Sequence, residues 1–265
     1  MKDLLIRTAT GISLIVLVFG SILLGSVPFL LVITAVYILS IRELLKLQPA
    51  TPSRKSILSG LSGSLLFLMV YLTIQYQVNL LWFLLPAGIW MAGYLSGGSY
   101  RFSLLALLWL ALPLVLFYIM GWLTEDPDYQ PVLPLSVIAL VWINDTFAFL
   151  IGKYFGKHQM TPLLSPGKTW EGFIGGLFFT LLGGWLVFTL TELFYPLAWL
   201  LFSLIISVFG FWGDLFESRL KREVNLKNTG GLLPGHGGIL DRFDSLFFAT
   251  PPVFMVILLM RYLSL

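Results

Sequence analysis

The chain has 265 residues, of which 58% are hydrophobic and only 11% are charged, and its net charge at pH 7 is +3. A soluble domain carries about 25% charged residues, so this composition excludes the soluble globular class. The sequence contains no cysteine, which excludes disulfides and thiolate metal sites.

Long apolar segments predict an all-α, polytopic integral membrane protein. In lipid, such segments satisfy their backbone hydrogen bonds only as helices, and the sequence lacks the short alternating strands of a barrel. A spanning helix needs roughly 20 apolar residues. Nine segments are interpreted as spans: residues 8–25, 27–47, 56–75, 79–96, 103–123, 131–151, 172–194, 197–213 and 244–262.

The basic residues predict a cytoplasmic N-terminus. With nine spans in this orientation, all 16 Lys and Arg residues except Arg261 fall on the cytoplasmic side, and the acidic loop 124–130 falls outside. This asymmetry is the one that the positive-inside rule predicts for helical membrane proteins. The orientation of the spans also accounts for the excess of basic over acidic residues, so no nucleic-acid partner is predicted. A second span follows the first at once, without an A-x-A-like cleavage site, which favours an uncleaved helix.

The unusual polar residues lie in the second half of the chain. Residues 1–130 are interpreted as a transmembrane scaffold of about five helices. Residues 131–265 are interpreted as the catalytic region, with two long cytoplasmic loops at 152–171 and 213–243. We therefore expect the chemistry of the protein to lie on its cytoplasmic face.

The first candidate residue in chain order is Asp145, inside the sixth predicted span in the stretch WINDTFAF. An aspartate near the centre of a spanning helix costs roughly 2.5–3.5 kcal/mol on insertion scales, so a functional role is the default interpretation. The alternative is that Asn144 and Asp145 form a hydrogen-bonded pair with a neighbouring helix.

The stretch SPGKTWEG at 165–172 offers groups that bind phosphate. It is not a P-loop, because Pro162 stands where that motif needs glycine. A lysine beside a helix N-terminus nevertheless suits an anion. The alternative is a simple helix start capped by Thr169. The candidate substrate-binding residues are Ser165, Lys168, Thr169 and Glu171.

The stretch FWGDLFESRLKRE at 211–223 is predicted to continue the eighth span as a helix. At 100° per residue its polar side chains share one stripe. The alternative is an ordinary salt-bridged helix end. An unpaired carboxylate at the membrane boundary is costly, which favours a site. The stripe consists of Asp214, Glu217, Ser218, Lys221 and Arg222.

The glycine-rich loop, residues 227–239, contains five glycines and leads into two aspartates one turn apart. Glycines let the backbone approach a ligand closely, and carboxylates suit Mg²⁺ together with substrate phosphates. The loop therefore predicts a phosphate–metal site; the alternative is a flexible loop with a helix N-cap at Asp241. The candidates are Lys227, His236, Gly237, Gly238, Asp241, Arg242 and Asp244.

Residues 218–244 resemble the signature of the phosphatidate cytidylyltransferase family, and SPGKTWEGFIGG and GKYFGKH resemble its flanking motifs. One position departs: Asn228 stands where the family usually has aspartate, which leaves Asp214 and Asp241 as better metal ligands. The matching residues are Ser218, Lys221, Arg222, Lys227, Gly230, Leu233, Pro234, His236, Gly237, Gly238, Asp241, Arg242 and Asp244.

The resemblance implies that CTP and phosphatidate react to give CDP-diacylglycerol and diphosphate. It further implies dependence on Mg²⁺, an additional monovalent cation such as K⁺, and a homodimer. Phosphatidate would enter from the inner leaflet, and the protein would be a multi-pass protein of a prokaryotic inner membrane with a cytoplasmic active site.

The expected roles follow from that reaction. Asp214 and Asp241 are assigned to the metal, with Glu217 and Asp244 as further ligands. His236 would donate to the leaving diphosphate, and Asp145 would contact the cytidine or hold a basic partner. Phosphate-holding roles are assigned to Lys168, Lys221, Arg222, Lys227 and Arg242.

Two other functions remain open from the sequence. A membrane transporter of an anionic substrate would suit Asp145, although such proteins often have repeated halves and no repeat is visible. Another CTP-dependent lipid phosphoryl or cytidylyl transferase would need the same groups.

Overall fold

The structure is a computed structural model that describes residues 2–48, 54–95, 99–124, 126–191, 193–234 and 237–262. Most of these residues are helical. The helices are α1 (Lys2–Leu23), α2 (Ser26–Lys46), α3 (Arg54–Tyr76), α4 (Leu84–Leu95), α5 (Tyr100–Leu104), α6 (Leu112–Ile119), α7 (Val132–Phe155), α8 (Trp170–Thr191), α9 (Pro196–Glu223) and α10 (Leu240–Tyr262). Short 3-10 helices cover Leu80–Phe83 and Met120–Trp122, and a π-helical stretch covers Leu105–Ala111.

Six helices among the described residues are long and apolar enough to cross a membrane: Ser26–Lys46, Arg101–Trp122, Val132–Phe155, Trp170–Thr191, Pro196–Glu223 and Leu240–Tyr262. Three shorter apolar helical stretches, Thr8–Leu23, Gly60–Tyr76 and Leu80–Leu95, lie where further spans are predicted. Large apolar side chains such as Leu24 and Leu190 are 78% and 75% exposed, as expected of surfaces covered by lipid. The helical membrane class is confirmed, whereas the count of nine spans stays a prediction.

Among the described residues, a short β-hairpin departs from the all-α expectation. Strands β1 (Gln159–Thr161) and β2 (Ser165–Thr169) pair antiparallel, with Gln159 opposite Thr169 and Thr161 opposite Ser165. Each strand is too short to produce a periodic signal in the sequence. The hairpin nevertheless places the predicted phosphate-binding stretch on a strand that leads directly into α8.

The chain forms two compact units. The first unit is Met1–Ile119 with Glu223–Arg242, and the second is Met120–Arg222 with Phe243–Leu265. Aromatic packing builds the core of the first unit, where the ring of Phe29 lies 5.3 Å from that of Phe117 and 5.5 Å from that of Tyr118.

Close packing of α7 on α8 organises the second unit. The rings of Phe147 and Phe179 stack 3.8 Å apart. A Cβ at Gly172 would lie 2.6 Å from the carbonyl oxygen of Ala148, so a side chain there would push the two helices apart. Because α7 carries Asp145 and β2 runs into α8, this packing fixes the surroundings of the candidate site.

Candidate metal and phosphate site

Three carboxylates from two helices come together in the second unit. Asp214 and Glu217 lie one turn apart on α9, and Asp244 lies near the start of α10. One oxygen from each lies within 4.8 Å of the others, and Glu217 and Asp244 are only 1% and 7% exposed. We call these residues the acidic cluster. It brings together three of the four ligands that the sequence predicts.

The close approach of α9 and α10 explains why the cluster forms. A Cβ at Gly213 would lie 2.5 Å from the carbonyl oxygen of Asp244 and 3.1 Å from Cβ of Phe248. Any side chain at this position would therefore separate the helices. Glycine immediately before Asp214 lets the two backbones approach, and the approach places the carboxylates of Asp214 and Asp244 side by side.

Lysines lie against two members of the acidic cluster. Lys168 Nζ is 2.8 Å from Asp214 Oδ2, and Lys221 Nζ is 2.6 Å from Glu217 Oε2. Ser218 Oγ donates to Asp214 Oδ1 at 3.3 Å. The predicted helical continuation of the eighth span and its polar stripe are therefore confirmed, because residues four apart on α9 do contact one another.

The donor set of the acidic cluster fits a hard divalent cation. All three members offer carboxylate oxygens, which are the ligands that Mg²⁺ and Ca²⁺ prefer. Burial makes neighbouring negative charges costly unless cations compensate them. The cluster therefore has the chemistry of a metal site.

A cavity of about 310 Å³ adjoins Asp214, and all of its lining residues belong to the second unit. Ser245 Oγ donates to Asp145 Oδ1 at 3.3 Å within this lining, and Lys168 lies over the ring of Phe211, 4.6 Å from its centroid. The cavity thus gathers five predicted site residues: Asp145, Ser165, Lys168, Thr169 and Asp214.

A second, more open depression of about 530 Å³ lies next to this cavity. The two share Phe149, Gly167 and Thr169 in their linings. The second depression adds Lys153 and Lys157, so the hairpin has positive charge beside it.

Two residues of SPGKTWEG organise the backbone around the hairpin. Thr169 Oγ1 accepts a hydrogen bond from the Gly172 N–H at 3.1 Å, which confirms the predicted cap at the start of α8. Glu171 Oε2 accepts from the backbone N–H groups of Lys157 and His158 at 3.0 and 3.2 Å. Its carboxylate therefore holds the chain that enters the hairpin.

Asp241 lies in the first unit and takes part in a different arrangement. Its Oδ2 accepts hydrogen bonds from the N–H groups of Gly238 and Thr229 at 2.8 and 3.2 Å. Because α10 begins at Leu240, Asp241 lies inside the first turn, and the alternative that made it the N-cap is wrong. Gly237 has φ +85°, a conformation that favours glycine.

The remaining predicted residues of the glycine-rich loop and its borders lie mainly at the surface. Lys227, Asn228 and Arg242 are exposed, as is Arg222 at the end of α9. His236 lies outside the described residues. The phosphate-holding roles assigned to these cations stay predictions.

Comparison with known proteins identifies the family. The model of the cytidylyltransferase family matches residues 5–260. The chain belongs to the cytidylyltransferase family. The resemblance inferred from residues 218–244 is thereby confirmed.

Two relatives illustrate how far the similarity extends. The phosphatidate cytidylyltransferase of Bacillus subtilis (strain 168) is 32% identical over 270 aligned residues, which cover 98% of this chain and 99% of that protein. The phosphatidate cytidylyltransferase of Staphylococcus aureus (strain COL) is 49% identical over 119 residues, which cover 44% of this chain and 45% of that protein. The match thus spans less than half of the staphylococcal relative.

Sequence reasoning missed three residues that shape these sites. Gly213 and Ser245 act through packing and a hydrogen bond to Asp145, and neither belongs to a recognisable motif. Glu43 is a buried acid at the end of the second predicted span. An acidic residue in an apolar helix was the available signal, but it lies between Arg42 and Lys46, which resemble ordinary cytoplasmic anchors.

Proposed function

We propose that the protein is a phosphatidate cytidylyltransferase, which converts CTP and phosphatidate into CDP-diacylglycerol and diphosphate. The observation that carries the proposal is the acidic cluster beside a cavity that Lys168 lines, in a chain of the cytidylyltransferase family. The similarity to the Bacillus subtilis protein extends over nearly the whole chain, which supports the same substrates.

The reaction needs charge compensation more than it needs a strong base. The second pKa of a phosphate monoester is about 6, so the phosphatidate phosphate is already a nucleophile at neutral pH. Its oxygen forms a bond to the α-phosphorus of CTP in line with the bond to the β-phosphate oxygen, which breaks to release diphosphate. Positioning and electrostatic stabilisation dominate such transfers.

The residues of this chain supply both contributions. Lys168 lines the cavity with its ammonium group beside Asp214, and this group offers positive charge to a phosphate. Ser165 and Thr169 on β2 line the same cavity and position the substrate. Asp145 lies in the lining of the same cavity and accepts a hydrogen bond from Ser245, and there it would contact a polar part of the nucleotide.

The acidic cluster would hold Mg²⁺ through Asp214, Glu217 and Asp244, and the ion would neutralise charge on the phosphates. Asp214 keeps the metal-binding role that the sequence predicts. Asp244 and Glu217, predicted as further ligands, become principal ligands in this proposal. Asp241 becomes a residue that shapes the glycine-rich loop, because Thr229 and Gly238 donate to its carboxylate. A monovalent cation such as K⁺ near the same carboxylates remains part of the proposal.

The proposed setting is a bacterial inner membrane, with nine spans, the N-terminus in the cytoplasm and the active site facing the cytoplasm. The distribution of Lys and Arg supports the orientation. Phosphatidate then reaches the site from the inner leaflet, and the protein acts as a homodimer.

The test is to incubate purified protein with phosphatidate and α-labelled CTP, with and without Mg²⁺. Labelled CDP-diacylglycerol that appears only with Mg²⁺ is the expected result. A CTP-dependent lipid kinase would instead release labelled CDP together with an unlabelled phospholipid. Uptake of an anion into vesicles without CTP would favour a transporter.

A further inference from the structure

A buried carboxylate in the N-terminal part of the chain contacts the end of the glycine-rich loop. Glu43 lies near the end of α2, and only 4% of it is exposed. Burying a carboxylate in an apolar helix is costly, so such a residue is expected to have a specific partner. All of the contacts described below lie within the first unit.

Both oxygens of Glu43 accept hydrogen bonds from the segment that begins α10. Oε1 accepts from the Ile239 N–H at 3.0 Å, and Oε2 accepts from the Leu240 N–H at 2.9 Å. The first N–H groups of a helix have no partner within the helix, and negative charge is favourable there. Glu43 therefore caps α10 from another helix.

Thr229 connects this cap to the other end of the loop. Its hydroxyl lies 3.0 Å from Glu43 Oε2 and 3.1 Å from Asp241 Oδ2, and only 1% of Thr229 is exposed. The backbone N–H of Thr229 also donates to Asp241. The two carboxylates thus hold both ends of the segment 229–240 together.

Two glycines of the loop leave the space that Glu43 occupies. A Cβ at Gly230 would lie 2.6 Å from Glu43 Oε1, and a Cβ at Gly238 would lie 2.3 Å from Oε2. Both distances are shorter than real Cβ contacts allow. These glycines therefore make room for the carboxylate of Glu43. From the sequence alone, the loop glycines were expected to let the backbone approach a ligand.

We propose that Glu43 is a positioning residue that holds the glycine-rich loop in its active shape. Lys227 precedes Thr229 by two residues, and Arg242 follows Leu240 by two, so the held segment is bordered by two exposed cations. Glu43 acts through these two residues, to which the sequence assigns phosphate-holding roles. The inference rests on the proposed function for its kinetic part only.

The first test measures the loop itself and does not depend on catalysis. Trypsin cuts after Lys227, next to the held Thr229. In Glu43→Gln, an amide group faces backbone N–H groups and cannot accept from all of them, so cleavage at Lys227 in detergent-solubilised protein should become about tenfold faster. Arg42→Gln, which removes an exposed charge from the neighbouring position, should cleave at the wild-type rate. Equal cleavage rates for Glu43→Gln and wild type would overturn the proposal.

The second test separates positioning from stability. Per folded enzyme, Glu43→Gln should raise the KM for CTP about tenfold with a smaller change in kcat, because the loop cations lose their fixed places. Glu43→Asp, which keeps the carboxylate, should recover part of the loss. A variant that yields less folded protein but keeps the wild-type KM would show a purely structural role and refute the proposal.

Thr229→Val keeps the test decisive if Glu43→Gln does not fold. This change removes one hydroxyl at nearly constant volume and should raise both the cleavage rate and the KM by about threefold. If the wild-type protein has no cytidylyltransferase activity, the proposed function fails, while the cleavage rates still decide the role of Glu43. Wild-type cleavage in Thr229→Val would show that the described contacts do not hold the loop.

Discussion

Lys168 Nζ lies 2.8 Å from Asp214 Oδ2, so one lysine contacts both a predicted metal ligand and the wall of the cavity. The side chain of Lys168 is only 16% exposed. Its charge is therefore poorly screened by water and acts strongly on a nearby phosphate. The pair links the metal-binding and phosphate-binding parts of the site.

Replacement of Lys168 tests that link. Lys168→Gln should lower kcat/KM for CTP by about 10²-fold, because an electrostatic contact to the reacting phosphates is lost. Lys168→Arg should restore only part of the activity, since a planar guanidinium does not replace a compact ammonium group at a close contact. Lys46→Gln, at the exposed end of α2, serves as the control for loss of one positive charge. Wild-type kinetics in Lys168→Gln would remove Lys168 from the site.

The metal assignment predicts different behaviour for three aspartates. Asp214→Asn and Asp244→Asn should each reduce activity by about 10²-fold or more and should require higher Mg²⁺ for half-maximal rate, since each removes a ligand charge. Asp241→Asn should lower activity without changing the Mg²⁺ requirement, because Asp241 holds Thr229 and Gly238. The measurement is the initial rate across Mg²⁺ concentrations.

Asp128→Asn is the matched control, because Asp128 lies exposed in the acidic loop 124–130. Its rate and Mg²⁺ requirement should equal those of the wild type. A raised Mg²⁺ requirement in Asp241→Asn, combined with an unchanged one in Asp244→Asn, would contradict the assignment made from the acidic cluster.

The sequence predicted the features that depend on local periodicity and on chemically unusual residues. The helical class, the continuation of the eighth span through Asp214 and the cap at Thr169 are confirmed. Each depends on neighbours within about one turn, where residue spacing determines the contact. The acidic residues were also found, because carboxylates are conspicuous in an apolar chain.

Features that depend on contacts between distant segments were not predicted. Glu43 and Thr229 are 186 positions apart in the chain, and no periodic pattern relates them. The choice between Asp241 and Asp244 as a metal ligand likewise depends on which face of α10 meets α9. That packing follows from Gly213, whose importance appears only when the two backbones are seen together.

Lys221 tests the acidic cluster without measuring catalysis. Its Nζ lies 2.6 Å from Oε2 of Glu217, which is buried. Removal of one partner from a buried ion pair costs about 3–5 kcal/mol, so Lys221→Met should lower the melting temperature of the metal-free protein in detergent. Mg²⁺ should raise the melting temperature of this variant by more than it raises that of the wild type, because the ion supplies the missing positive charge.

An acidic cluster that binds no metal would behave differently. In that case Lys221→Met would be destabilised to the same extent with and without Mg²⁺. Ca²⁺ should stabilise the variant as well, since carboxylate oxygens bind both ions. Monovalent salt at equal ionic strength controls for general screening.

Gly213 allows the approach of α9 and α10, so Gly213→Ala should damage the acidic cluster without removing any of its ligands. The new Cβ would lie 2.5 Å from the Asp244 carbonyl oxygen, and overpacking of this kind costs about 1–3 kcal/mol. We expect a lower melting temperature in detergent and a higher Mg²⁺ requirement for activity. Gly20→Ala is the control, because a Cβ there meets nothing within 4 Å and alanine favours a helix interior. If Gly213→Ala kept both the wild-type melting temperature and the wild-type Mg²⁺ requirement, close contact between these helices would not be what assembles the carboxylates.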